Sequence, residues 1–335
     1  MSVSIDSIGP ATNAKWDEVW EKCSYGTYFH SREWAEIWNV YSKRHLRPEP
    51  LLFRFSDGLE AIFPLSVSKS YRGLFEEYVS SPAGTFGGWI SEERLTNRHA
   101  TLMTGYVRDR KAGLILRLNP YDETSASIQS EGSVPDVTYT LDLRPGFDAV
   151  YREISKGHRS AAKKAARSGV TIEQNNRHED WDEHFAVYED SLRRWGSKAT
   201  SRYAMSLFSE MRRRNSPNIK LWLAKYQGQA IAGAVCLYAP SHVAYWQGAA
   251  MEQYFNLRGP NLLLEEAIRH ASQQGYSWFD FNPSGGHEGP TAFKEHFGTK
   301  PLPCPTIRTR KFALRAFNKI RSKRWIALPQ FIRSH

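Results

Sequence analysis

Two spacings of apolar residues alternate along the chain. In the second half, "GVTIEQ" (169–174) has the alternation of a short strand. Trp181, Phe185, Tyr188 and Leu192 then recur at i, i+4, i+7 and i+11, one helical face that Gly196 closes. A second helix is predicted through "SRYAMSLFSEMRRR" (201–214). Three runs rich in β-branched and aromatic residues follow: "IKLWLAKY", "QAIAGAVCLYA" and "HVAYWQGAA". The turns Gln227-Gly228 and Pro240-Ser241 join them into an antiparallel meander. Leu263, Leu264, Ala267, Ile268 and Ala271 stripe a helix that ends at Gly275, and "YSWFDF" follows as a continuous apolar strand.

The first half repeats this order loosely. Strand "SVSIDSI" precedes helices in "WDEVWEKC" and "SREWAEIWNVYS". Strands "PLLFRF", "LEAIFPLSVS" and "EYVSS", a helix within 91–110 and strand "GLILRLN" complete it, so a structural duplication is expected. The loop-rich stretch 120–136 marks the junction. A single helix from Phe147 to Ser168 is expected to bridge the halves. It gathers Arg152, Lys156, Arg159, Lys163 and Arg167 on one side, with Val150, Ile154, Ala161 and Ala165 opposite.

At 335 residues, with 41% apolar and 24% charged content, the chain suits two packed units rather than one. Cys23, Cys236 and Cys304 are an odd set without metal-ligand spacing, which points to neither a disulfide framework nor a zinc site. The start "MSVSIDSIGPATNAKW" has no basic or apolar leader region, and no apolar run is of spanning length, so a cytoplasmic, non-integral protein is expected. The net charge of +10 is uneven: from Thr306 onward there are nine Lys or Arg and no Asp or Glu. Phe312, Ala313, Ala316, Phe317 and Ile320 share a helical face there, flanked by Arg315, Lys319 and Arg321. Such a tail suits a tRNA backbone or the anionic face of a membrane, and equally a solvated basic end.

The stretch "WFDFNPSGGHEGPTAFKEHFGT" (278–299) runs an apolar strand into a loop whose prolines and glycines exclude regular structure, and then into Phe293 and Lys294. The order strand, two helices, three-strand meander, helix, strand resembles the GNAT acyltransferase fold, and its doubling resembles the FemABX family of peptidoglycan-bridge aminoacyltransferases and related acyltransferases. "TYFHSREWAEIW", "GHRSAAKKAARSGVTIEQ", "RGPNLLLEEAI" and "AFKEHFG" carry the likeness. It implies an α/β fold of α+β type with mixed, mostly antiparallel sheets flanked by helices. Two tandem GNAT-like units are expected over 1–146 and 169–311, with the basic helix 147–168 between them and the basic amphipathic tail 312–335 after them.

The resemblance also implies a cleft where an acyl or aminoacyl group passes to an amine. Phe293 would stack on the terminal adenine of aminoacyl-tRNA, a sequence-tolerant contact. Lys294 would neutralise phosphate or the oxyanion that forms at the attacked carbonyl, or else both residues belong to a short core helix and its solvated flank. His287 and Glu288 are the titratable pair that could take the amine proton. Arg258, Asn261, Gly285 and Gly286 complete the donor side. Arg159, Lys163, Arg202, Gly87 and Gly88, with His158 beside the basic stripe, are the acceptor candidates for a nucleotide- or lipid-linked envelope precursor.

Single-domain acetyltransferases cradle CoA pyrophosphate on backbone N–H groups of a glycine-rich helix start. Here "FNLRGPNLL" has one glycine, Gly259, and Pro260 has no N–H to give. The expected co-substrate is therefore aminoacyl-tRNA, with no tightly bound cofactor. The alternatives are acyl-CoA-dependent N-acylation of an amino sugar in surface polysaccharide synthesis, and a non-catalytic module that binds polyanions.

Overall fold

The computed structural model describes residues 2–70, 75–110, 113–128, 133–199 and 201–310. The basic tail lies outside the described residues. The chain divides into two compact units, Met1–Asp136 with Pro303–His335, and Val137–Leu302.

In the first unit, β1 (Ile5–Pro10) leads to α1 (Asn13–Lys22) and α2 (Arg32–Tyr41). Thr12 and Ser31 cap these helices by accepting the N–H groups of Lys15 and Trp34, two residues of the first turns that have no helical partner. Strands β2 (Leu46–Pro48), β3 (Leu51–Phe55), β4 (Glu60–Phe63), β5 (Ser66–Ser70) and β6 (Phe75–Val79) follow, then α3 (Asn97–Arg110) and β7 (Gly113–Arg117). The run "LEAIFPLSVS", expected as one strand, is divided at Pro64, which cannot donate to a ladder. Its halves serve different sheets, since β4 pairs with β3, and β5 with β6 and β2. β6 and β7 run parallel, joined through α3. Trp16, Trp34, Trp38 and Trp89 are fully buried here.

The second unit opens with β8 (Val137–Asp142), a strand of its own sheet. Next come α4 (Phe147–Glu153), α5 (Lys156–Arg167), β9 (Thr171–Asn175), α6 (His178–Trp195), α7 (Met205–Arg214), β10 (Ile219–Tyr226), β11 (Gln229–Tyr238), β12 (His242–Ala250), α8 (Gly259–Gln273), β13 (Trp278–Asp280), α9 (Glu288–Glu295) and β14 (Lys300–Pro303). The sheet order is β14-β8-β13-β12-β11-β10-β9, antiparallel in its meander and parallel between β12 and β13. A last strand, β15 (Thr306–Arg310), pairs with β7 of the first unit. This is the expected α/β architecture, with mostly antiparallel sheets flanked by helices.

The expected single helix over 147–168 is two helices. Ser155 interrupts it because its hydroxyl accepts the His158 N–H, and its own N–H donates to the His296 carbonyl at 2.8 Å. Rotation at the break buries Ala162, not Ala161, beside Ala165. Alternation along β11 puts Ala232 and Ala234 in the core with α8, while Gly233 faces α6. Among the described residues, no helix is long and apolar enough to cross a membrane.

Candidate active site

β12 and β13 pair only over His242–Ala244 and Trp278–Asp280. β12 then runs on to Ala250 while β13 stops, so the strands part at the carboxyl end of the parallel pair, where α/β sheets receive ligands. A bulge sharpens the divergence: Val235 faces Gln247 but Cys236 faces Tyr245, leaving Trp246 as the extra residue.

Asn282 stands at the fork in a left-handed conformation, φ 58°, which asparagine tolerates better than other residues with a Cβ. Its Nδ2 donates across the fork to the Tyr245 carbonyl at 2.9 Å, and its backbone N–H donates to Asp280 Oδ1. The fully buried Asp280 carboxylate also accepts from Thr138 Oγ1 at 2.7 Å. From α9, Lys294 Nζ donates to the Asn282 carbonyl at 2.6 Å and lies 5.9 Å from the Tyr139 ring centroid.

Lys294 is thus 7% exposed, neither a solvated neighbour nor a side chain reaching into an open loop. Its ammonium is a buried charge satisfied by the last backbone carbonyl before the loop. The loop is shorter than its glycines and prolines suggest, because α9 starts at Glu288 and takes Gly289 and Pro290 into its first turn. Proline is admissible there since first-turn N–H groups have no helical partner.

The other candidates disperse. His287 and Glu288 are exposed at the start of α9, and Gly285 and Gly286 carry positive φ in the turn before it. Phe293 is half-buried, with its ring 5.1 Å from His158 and 5.3 Å from Phe297. His158 packs against Phe293, His296 and Phe297, and burial, then the charge of His296, lowers its pKa to about 4. It is a neutral packing residue near neutral pH, not the phosphate-gripping cation expected with the basic stripe. Arg159 donates to the Tyr151 and Arg152 carbonyls, each at 3.3 Å, which fastens it to the end of α4. Lys163 and Arg202 are exposed, the latter donating to the Gly196 carbonyl.

At the start of α8, Arg258 is exposed and left-handed, and the N–H of the buried Asn261 returns to the Arg258 carbonyl at 3.1 Å. Gly259 serves packing: a Cβ there would lie 3.2 Å from Ile231 Cδ1 and 3.4 Å from Ala224 Cβ. Gly87 and Gly88 belong to the first unit, where a Cβ on Gly87 would lie 2.5 Å from Ser80 Oγ.

Sequence reasoning missed Asn282, Asp280 and a buried pair, His184 on α6 and Gln247 on β12, whose Nε2 and Oε1 are 2.6 Å apart. A signal was present for the pair. His184 interrupts the apolar face between Trp181 and Tyr188, and Gln247 interrupts the strand run "HVAYWQGAA"; polar groups in such places need partners.

Residues 152–295 match the family model described as Acetyltransferase (GNAT) domain. No curated protein matches the chain by sequence. Among solved structures, the chain is similar to FemX, with TM-score 0.68 and 11% identity, covering 89% of this chain and 96% of that one. It is also similar to the C-terminal domain of a candidate lysylphosphatidylglycerol synthetase from Agrobacterium fabrum, with TM-score 0.56 and 13% identity, covering 93% and 97%. L-PGS from Bacillus licheniformis gives TM-score 0.53 and 13% identity, covering 86% and 95%. The chain has the GNAT fold in a form that resembles the FemABX-like proteins.

Proposed function

We propose that this chain, whose fold is that of the GNAT acyltransferases, transfers an aminoacyl or acyl group to an amine of a cell-envelope precursor, with aminoacyl-tRNA as the donor. The observation that carries this reading is the fork between β12 and β13, within the segment that matches the acetyltransferase model. Beyond Ala244 an acyl group can lie along the edge of β12, held by backbone groups that no strand covers. There the amine nitrogen bonds to the acyl carbon, and the carbonyl electron pair moves onto oxygen. It returns as the bond to the donor's leaving oxygen or sulfur breaks, and the amine proton leaves with that group. His287 or Glu288, both exposed beside the loop, are the proposed carriers of that proton.

The choice of donor rests on the start of α8. Of its first N–H groups, Pro260 has none and that of Asn261 is already bound to Arg258, which leaves little to grip a pyrophosphate. Asn282 further occupies the Tyr245 carbonyl, a group that a pantetheine amide would otherwise use. An envelope acceptor is favoured by a structural neighbour named for lysylphosphatidylglycerol synthesis. Lys294 is proposed to act from beneath the site, holding the end of β13 and lending positive potential to it.

The test presents purified protein with aminoacyl-tRNA or acetyl-CoA and a panel of amine acceptors. Transfer is expected from the tRNA, with binding that weakens steeply as salt rises because phosphate contacts release counterions. Stoichiometric acetyl-CoA binding with amide formation in the absence of RNA would replace this reading by acyl-CoA-dependent N-acylation of an amino sugar.

A further inference from the structure

His184 is fully buried and Gln247 is 8% exposed. Burial lowers the His184 pKa to about 4, so near neutral pH the ring is neutral and one nitrogen carries the proton. Its Nδ1 is crowded against Gly233, where a Cβ would come within 2.2 Å, and among the described residues neither Nδ1 nor Gln247 Nε2 has a hydrogen-bond partner. A proton on Nδ1 would be a buried donor facing a Cα. A carboxamide oxygen can only accept, and Oε1 is the Gln247 atom that lies against Nε2. The proton therefore sits on Nε2 and is donated to Gln247 Oε1 at 2.6 Å. This fixes the carboxamide: its oxygen faces His184, and its NH2 group is turned away from it with no acceptor.

The position of this donor gives it a use. Gln247 is the residue after the bulged Trp246 and lies three positions past Ala244, the last residue of β12 to pair with β13. A buried N–H donor on the strand that runs unpaired past Ala244 has the chemistry that stabilises negative charge on a carbonyl oxygen.

We propose that Gln247 Nε2 donates a hydrogen bond to the acyl carbonyl oxygen of the donor and to the oxyanion formed when the amine attacks, with His184 as the residue that positions it. The inference rests on the acyl-transfer reading above and adds a ligand class to it, an ester or thioester carbonyl. No net proton is taken from Gln247: the N–H···O bond shortens as the oxygen gains charge and relaxes when the leaving group departs.

The test is Gln247→Met, which keeps the volume and removes the amide, in parallel with His184→Gln. For Gln247→Met, turnover is expected to fall about 100-fold with the KM for the donor within about twofold, and the melting temperature is expected to hold or fall slightly, since the unpaired NH2 is lost but the buried His184 Nε2–H loses its acceptor. His184→Gln should lose less turnover, about tenfold, because Gln247 stays but is no longer fixed. A role confined to packing predicts unchanged turnover per folded molecule. The readout without chemistry is the Gln247 side-chain NH2 signal in nitrogen-15 spectra, assigned by its absence in Gln247→Met. It should shift downfield on adding acetyl-CoA or the stable amide analogue of 3′-aminoacyl-adenosine, and which of the two moves it identifies the donor. An active parent with Gln247→Met at parental turnover overturns this inference and leaves the function standing. An inactive parent whose NH2 signal moves supports the ligand site and refutes the reaction. An inactive parent with an unmoved signal overturns both.

Discussion

Each unit carries one parallel strand pair joined through a helix, β6–α3–β7 in the first and β12–α8–β13 in the second, and the two forks are closed differently. In the first unit the chain fills its own gap. Beyond Val79 and Ile115, Ser80 N–H donates to the Ile115 carbonyl at 2.9 Å, and the returning chain lays Gly87 N–H on the Arg117 carbonyl at 2.8 Å. Ser80 Oγ locks the insert by accepting Gly88 N–H at 2.7 Å and donating to the Pro64 carbonyl at 3.2 Å. In the second unit the Asn282 side chain spans the fork beyond Ala244. Backbone in the gap consumes the edge groups a ligand would use, whereas the Asn282 carboxamide takes up the Tyr245 carbonyl. We propose that the first fork serves structure and the second the reaction; the acetyltransferase family model matches 152–295, which contains the second.

The comparison breaks most readily at Lys294. If the second fork depends on a buried ammonium beneath Asn282, Lys294→Met leaves the Asn282 carbonyl without its donor and frees the turn above it. A loss of about 2 kcal/mol in the stability of the second unit is expected, as for a buried acceptor left without its donor. A fall in turnover of about 100-fold should accompany it. Urea unfolding and turnover per folded molecule measure the two separately. Stability and activity both at parental levels would show that the fork holds without the lysine.

How far the sequence disclosed this contrast depended on periodicity. The meander, the α6 and α8 faces and the order of elements were legible because side-chain spacing records which face is buried. The Gln227-Gly228 turn was too, since both residues take positive φ. The break at Ser155 was not, because it depends on the carbonyl of His296, far along the chain. Lys294 was singled out, but burial of a lysine is decided by a distant carbonyl and cannot be read from its neighbours Phe293 and Glu295. The likeness of the two halves likewise hid that Gly87 packs on Ser80, a contact between residues that only the fold brings together.

A smaller effect sharpens the other side. Ser80→Ala removes the acceptor of Gly88 N–H and one donor to Pro64, both buried, and should cost the first unit about 1–2 kcal/mol. Because that fork is assigned to structure, turnover per folded molecule should be unchanged, as read by thermal unfolding beside initial rates. A specific loss of turnover with stability intact would mean that the first fork also serves the reaction.

The smallest expected difference lies in how the units meet acid. His30 in the first unit and His184 in the second are both fully buried, and burial lowers the pKa of each to about 4 from an ordinary 6.5. The unfolded chain therefore binds protons that these rings refuse, so the stability they contribute is fully present above pH 6.5 and is lost as pH falls toward 4. Carboxylates held low by cationic partners, such as Glu60 beside Lys15, lose their contribution below their ordinary 4.5, and those raised by burial, Asp122 in the first unit and Glu265 in the second, act in the opposite sense in each unit, so the histidines carry the difference between units. At pH 5.5 each ring costs roughly 1.4 kcal/mol, from the displacement of its proton equilibrium. The second unit also holds His158 and His270, both lowered in the same direction by burial but partly exposed and so more screened. It should therefore lose stability ahead of the first by less than about 1 kcal/mol. Amide hydrogen exchange at pH 7 and pH 5.5, corrected for intrinsic rates, resolves the units separately, and His184→Gln should bring the second unit's slope down to or below that of the first. Equal slopes in the parent, unaffected by that substitution, would show that His184 is not held neutral. The fixed orientation of Gln247 would then lose its physical basis.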